Sequence, residues 1–413
     1  MGPTERRYYV LEGSYMAWGW FMGPIYPLFL LSRGLDVLQA SSVLATFFII
    51  TFLLEVPTGA VADVFGRRVS FLLACATRMC AFFLYFRADG YLDCLLAEVV
   101  DAVGNTLASG ALQAWAVDGI RKDGDSRPMD RIFARAQVVQ RTMMIVGGVV
   151  GGALAEWNIA LPWLIAGTGF GSTGLYAFLV MEEAPPATRP SWSTARQSIT
   201  DTIGAAARAA QTTPIVRVLC ILTAAVAIAV MPAAFLWPAR LEELADGASF
   251  WLLGWIWALI NLTAAIGSVC SERFFASVRR ERVLFGTATA RALGIGIAAL
   301  APNFGTAIAG LLILEFAFAI SHPAYQAWLN EHVESDLRAT VLSVANMSFT
   351  VGGGAGLLTL GWLARETSIS LAWTICAVLL LAIAPAFLAV ARVPGLAPAA
   401  SALRPATEVP ARD

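Results

Sequence analysis

The chain is predicted to be an all-α membrane protein with twelve transmembrane helices in two pseudo-symmetric six-helix bundles. Three observations predict this. Of 413 residues, 58% are hydrophobic and 14% charged, with mean hydropathy +0.69. A soluble domain carries roughly 25% charged residues, so this apolar excess has no place in a water-soluble core. Apolar runs of about 18 residues or more, the length that spans a bilayer, recur along the chain. Finally, residues of the first half reappear at a near-constant offset in the second.

Taken in order, the runs predict spans at 8–31, 38–61, 69–88, 91–118, 133–156, 159–181, 214–238, 249–271, 283–300, 304–328, 338–363 and 369–392. The first follows Arg6 and Arg7 and so mimics a signal peptide. It is too long for that, and it lacks a small-residue cleavage site. Helices are expected because unpaired sheet edges do not survive in lipid, and the alternating polarity of a strand barrel is absent. The four intervals are an N-terminal bundle (1–181), a Pro/Ser/Thr/Arg-containing linker (182–213), a C-terminal bundle (214–393) and an Ala/Pro-rich tail (394–413) expected to be disordered.

Basic residues set the orientation. With the N-terminus in the cytoplasm, the outside loops hold only Arg33, Arg87, Arg240 and Arg365. Arg78, Arg141 and Arg291 lie within helices, and every other Lys and Arg falls in an inside loop or tail. Both termini are therefore expected in the cytoplasm. One Lys among so many Arg, with abundant Ala, suggests a bacterial chain and hence a bacterial inner (plasma) membrane.

The net charge of -1 gives no support to nucleic-acid binding. Cys75, Cys80, Cys94, Cys220, Cys270 and Cys376 form no CxxC and read as packing residues. His322 and His332 lie too far apart to form a local metal pair. No nucleophile–base constellation or nucleotide-binding loop is present, so neither an enzyme nor a cofactor is expected.

Shifting the sequence by 213 places Gln113-Ala114-Trp115 on Gln326-Ala327-Trp328, Arg78 on Arg291 and Arg67 on Arg280. The Gly147-Gly148 region falls a few residues from Gly352-Gly353-Gly354. Between the second and third spans lies Gly59-Ala-Val-Ala-Asp63-Val-Phe-Gly66-Arg67-Arg68. A Gly, an Asp four residues on, then Gly-Arg-Arg resembles the signature loop of the major facilitator superfamily of membrane transporters. Glu272-Arg273 to Arg280-Glu281-Arg282 would be its degenerate second copy, with the charges but without the Gly and Asp. The resemblance covers all but the tail. It implies the major facilitator fold, built by parallel duplication of a six-helix unit. Helices 1, 4, 7 and 10 would then line the cavity, with helices 3 and 9 peripheral. Asp63, Arg67 and Arg68 would form a cytoplasmic latch against the other half. Gly59 is expected to permit close helix contact and Gly66 a tight turn.

A charge inside a spanning helix costs roughly 2.5–3.5 kcal/mol on insertion scales and needs a partner or a cavity. Arg78 and Asp101 sit midway along helices 3 and 4, and Arg291 and Glu315 midway along helices 9 and 10. The expected pairs are Arg78 with Asp101 or Glu98, Arg291 with Glu315, and Glu55 with Arg141. Glu98, Asp101 and Glu315 are candidates for proton coupling, in which a carboxylate alternates between a proton and an Arg. The competing reading is static ion pairs between neighbouring helices.

Three stripes at helical spacing are candidate cavity linings. They are Glu98, Asp101, Asn105 and Ser109 on helix 4; Glu315, Phe318, His322 and Gln326 on helix 10; and Glu12, Tyr15, Gly19, Met22 and Tyr26 on helix 1. The alternative is that such groups simply join helices. Gly147-Gly148-Val-Val-Gly151-Gly152 faintly resembles the helix 5 motif of drug/proton antiporters, without its proline. Ser109 to Asp118 resembles a helix 4 pattern of bacterial facilitators linked to multidrug export.

The function expected is secondary active transport by a monomer: proton-coupled export of a small amphipathic compound by alternating access. The alternatives are import or facilitated passage of a polar metabolite and, from another class, a transporter-like sensor or scaffold.

Overall fold

The computed structural model describes residues 1–124, 127–183, 214–245, 247, 249–331 and 338–390. The linker from residue 184 to 213 and the tail 394–413 lie outside these. The described elements are α1 (Pro3–Gly19), α2 (Tyr26–Ser32), α3 (Val37–Phe65), α4 (Arg67–Arg87), α5 (Tyr91–Ala108), α6 (Ala111–Lys122), α7 (Met129–Ala155) and α8 (Leu161–Val180). They continue with α9 (Pro214–Ala245), α10 (Phe250–Ser277), α11 (Arg280–Ala299), α12 (Phe304–Glu331), α13 (Arg338–Glu366) and α14 (Ile369–Val390).

These make twelve passes, because α1 with α2 and α5 with α6 each form one. Among the described residues, ten passes are long and apolar enough to cross a membrane by length and composition. The other two are the broken first pass and α11, which carries Arg280, Glu281, Arg282 and Arg291.

Two expected spans are interrupted. The first turns between Trp20 and Ile25, around Pro24, which has no N–H to donate, and α2 restarts with Pro27 in its first turn. The fourth breaks at Ser109-Gly110, where Gly110 takes the left-handed φ of 71°.

Packing repeats with the sequence. In the first half α4 packs on α5 and α8, α5 on α3, and α1 on α7. In the second α11 packs on α12 and α14, α12 on α10, and α9 on α13. Each contact recurs six passes later. Large apolar side chains such as Leu92, Leu179 and Val269 point outward and exposed, as lipid-facing groups do.

The halves meet through α3 on α13 and α7 on α10. Glycine makes the second seam close. A Cβ added at Gly148 would lie 2.2 Å from the Trp257 ring, and one at Gly152 2.6 Å from the Phe250 carbonyl oxygen. On the neighbouring face, a Cβ at Gly147 or Gly151 would strike the carbonyls of Ala17 and Phe21 at 2.4 and 1.9 Å. In the second half Gly352 and Gly356 meet α9 in the same way, at 2.3 and 2.4 Å from the Ala224 and Ile228 carbonyls. The Gly-rich run is therefore a packing device in both halves.

Further contacts place the seal at the face away from the α3–α4 junction. Trp20 stacks on Trp257 at 5.3 Å, Arg365 lies 3.5 Å from Asp36, and the Trp251 amide donates to Glu156 at 2.8 Å.

Candidate functional site

In the first half, α4 and α5 lie side by side and bring Arg78 and Asp101 together. Arg78 Nε donates to Asp101 Oδ1 at 2.8 Å and Nη2 to Oδ2 at 3.2 Å, a two-pronged pair in which both residues are 7% exposed. The rings of Phe170, Tyr15 and Phe82 stand 4.6, 5.2 and 5.5 Å from the guanidinium carbon. Gly104 clears the space for this arginine, since a Cβ there would lie 2.6 Å from Arg78 Cγ.

One turn away Glu98 is also buried, but its partners are neutral. Tyr26 donates to Glu98 at 2.8 Å, and the Tyr85 hydroxyl also bonds to it. Tyr85 stacks on Trp163 at 4.1 Å, and Tyr26 touches Phe235 of the other half at 5.8 Å. The Glu98 network thus reaches the seam between the halves. Glu12 and Tyr15 face the interior of the first half: Glu12 accepts from Gln140, and Tyr15 packs edge-on against Phe170.

The second half differs. A cavity of about 220 Å³ lies among α9, α11, α12, α13 and α14. Arg291, Phe318, His322 and Gln326 line it, together with Thr223, Tyr325, Asn346 and Phe349, which the sequence reading did not single out. Tyr325 is tied down by Thr223 Oγ1 at 2.6 Å. A signal existed for Tyr325, which stands three residues after His322 and next to Gln326 on the same helix face; Asn346 is an isolated polar group on another helix.

Three expectations need correction. Arg291 and Glu315 share a depth but form no ion pair. Arg291 turns over the Phe318 ring at 5.2 Å, and its Nε and Nη2 are buried without a hydrogen-bond partner. Glu315 lies within electrostatic reach of both Arg291 and Arg141. Glu55 does not pair with Arg141. It accepts from Ser109 Oγ at 2.8 Å, because α3 packs on α5 and α13 whereas α7 packs on α1 and α10. Arg141 is exposed and lies within electrostatic reach of His322 and Glu315 on the other half. Gly59 makes no close contact; nothing among the described residues lies within 4 Å of a Cβ placed there, so its role is not helix packing among them. Asn105 is half-buried on α5.

At the α3–α4 junction Gly66 holds a φ of 96°. Glu183 caps the start of α4, accepting from the Arg67 and Arg68 amides at 2.7 and 2.9 Å. A Cβ at Gly66 would fall 2.6 Å from that carboxylate. Arg67 pairs with Asp118 and donates to the Ala114 carbonyl at 2.8 Å, while Arg68 donates to the Phe178 carbonyl at 2.7 Å. These contacts lie within the first half, and Asp63 is exposed. Glu183 could not be foreseen, because it caps the loop from a distant part of the chain.

Apolar passes arranged in two six-helix halves with repeated packing, seamed together at one face, point to a multi-pass membrane protein of the transporter class. The Major Facilitator Superfamily profile matches residues 13–347, and the chain belongs to that family. It is 28% identical over 142 residues to an uncharacterized MFS-type transporter, YxaM, of Bacillus subtilis (strain 168). That alignment spans 34% of this chain and 35% of YxaM. Among solved structures, the nucleoside transporter NupG matches with a TM-score of 0.80 at 14% identity, covering 95% of this chain and 100% of that one. A POT family transporter in complex with a thioalcohol-conjugated peptide matches at 0.76 and 12%, covering 93% and 95%. At such identities the likeness is one of fold.

Proposed function

We propose that the chain is a monomeric secondary active transporter. It exports small amphipathic compounds across the bacterial inner membrane by alternating access, in exchange for protons. What supports this reading is a gap that we place between the halves: the seam is closed at one face, and exposed Arg141 of the first half comes within electrostatic reach of exposed His322 and half-buried Glu315 of the second. Within a membrane such groups mark substrate or proton paths.

With the termini and the linker 182–213 in the cytoplasm, the sealed face is the outer one and the gap opens inward. In the opposite state Asp63, Arg67 and Arg68 would exchange their first-half partners for groups on the second half, latching the cytoplasmic side. Among the coupling candidates, Glu315 is best suited to exchange protons, because it is half-buried within electrostatic reach of two arginines without being in ion-pair contact with Arg291. Glu98, bonded to two tyrosine hydroxyls, is the next candidate. Asp101 is held by Arg78 on two prongs, which favours a structural role.

The test is transport in vesicles. Purified protein is reconstituted, a pH gradient is imposed, and a panel of lipophilic dyes and drugs is followed. Gradient-driven accumulation that is lost in Glu315→Gln is expected. Flux indifferent to the gradient would sink the coupling claim. A second reading, passage of a polar metabolite, draws on the hydrogen-bonding groups of the cavity: Ser321, His322, Tyr325, Gln326 and Asn346. Gradient-independent flux of such a solute would favour it.

A further inference from the structure

Arg291 is 6% exposed, yet Nε and Nη2 find no hydrogen-bond partner. An arginine stays charged at any ordinary pH, so deprotonation gives it no escape. Leaving such donors buried and unpaired is costly, unless the state without cargo is incomplete. Arg291 lines the cavity of about 220 Å³, with neutral hydrogen-bonding groups of Gln326 and Asn346 and the rings of Phe318 and Phe349 around it. Arg78, the matching residue of the first half, has both prongs filled by Asp101. Glu315, the nearest candidate counter-charge, is not in ion-pair contact with Arg291.

We infer that the second-half cavity binds the oxyanion of an amphipathic organic acid, with Arg291 as the anion-holding residue. The guanidinium fork carries two unmet donors that are covered in this state, and a small turn of the side chain into the cavity beside it would offer them to a carboxylate, sulfonate or phosphate oxygen pair. Phe318 and Phe349 offer an apolar wall to the rest of the molecule, and Gln326 and Asn346 supply further donors. This deepens the transport reading by naming the cargo as anionic, and it rests on that reading only for the claim that the bound compound is carried.

The test is binding by the full-length protein in detergent, separate from any gradient. Equilibrium dialysis compares 1-naphthoate with its uncharged counterpart 1-naphthamide. Wild type should prefer the carboxylate by about tenfold or more, the scale of charge-assisted hydrogen bonds. Arg291→Gln should erase the preference and Arg291→Lys should keep part of it. If Arg291→Gln does not fold, the wild-type preference and the Arg291→Lys result still decide. Equal binding of the two probes by wild type, or an intact preference in Arg291→Gln, would overturn the inference. The outcomes are separable from those of the vesicle assay. Carboxylate preference without gradient-driven flux would leave the site and remove the coupling. Gradient-driven flux with no charge preference would do the reverse.

Discussion

Arg78 and Arg291 occupy equivalent places in the two halves, on α4 and α11, each packed against the next helix in its bundle. In the first half the arginine is neutralised by a two-pronged carboxylate and ringed by aromatics. In the second it lies over a single phenylalanine beside a cavity, with two donors unmet. One duplicated scaffold thus holds the same residue in a finished site and in an unfinished one. The lesson is that pseudo-symmetry preserves packing more faithfully than chemistry. Glycine contacts recur between α1 and α7 and between α9 and α13, whereas the carboxylate does not: at the offset of 213 Asp101 falls on Leu314, and Glu315 stands one residue further on, about 100° round the helix.

The largest effect is expected where the first-half pair is broken. Asp101→Ala leaves Arg78 buried and alone and should lower stability by about 3–5 kcal/mol. Glu315→Gln should cost only about 0.5 kcal/mol. Thermal unfolding in detergent measures both, and equal losses would erase the distinction between the halves. Next come the shared packing positions. Gly151→Ala and Gly356→Ala each drive a Cβ into a backbone carbonyl, at 1.9 and 2.4 Å, and each should destabilise by about 1–3 kcal/mol. Similar values are expected, because here the halves are alike.

A smaller effect is expected at the seal. Trp257→Ala removes the stack on Trp20. It should speed labelling of a cysteine introduced at Ser249 by about two- to tenfold, the worth of an aromatic pair. The smallest is expected for Asp118→Asn, which breaks an ion pair at the loop face whose carboxylate side chain is 70% exposed. It should change stability by about 0–1 kcal/mol.

Much of this was legible in the sequence because lipid imposes simple rules. Length and apolarity located the passes, and the offset of 213 located the repeat. The helical rise of 1.5 Å per residue fixed the depth of each charge. Depth was enough for Arg78 and Asp101. It was not enough for Arg291 and Glu315, since facing also depends on position round the helix, and Glu315 stands one residue, about 100°, beyond the counterpart of Asp101. Phe318, one turn from Glu315, took the position opposite Arg291. The expected Glu55–Arg141 pair failed for a related reason: matching depth says nothing about which helices are neighbours. The breaks at Trp20–Ile25 and Gly110 carried Pro and Gly signals that the apolar runs on either side masked.

The most direct test of this contrast is the thermal stability of Arg291→Gln beside Arg78→Gln, in the same detergent and without cargo. If Arg291 is an unfilled anion site, removing its charge should leave the melting temperature at or above that of wild type, while Arg78→Gln should lower it sharply. A fall in Arg291→Gln as large as that in Arg78→Gln would show that Arg291 is a structural ion-pair partner, and would contradict the account.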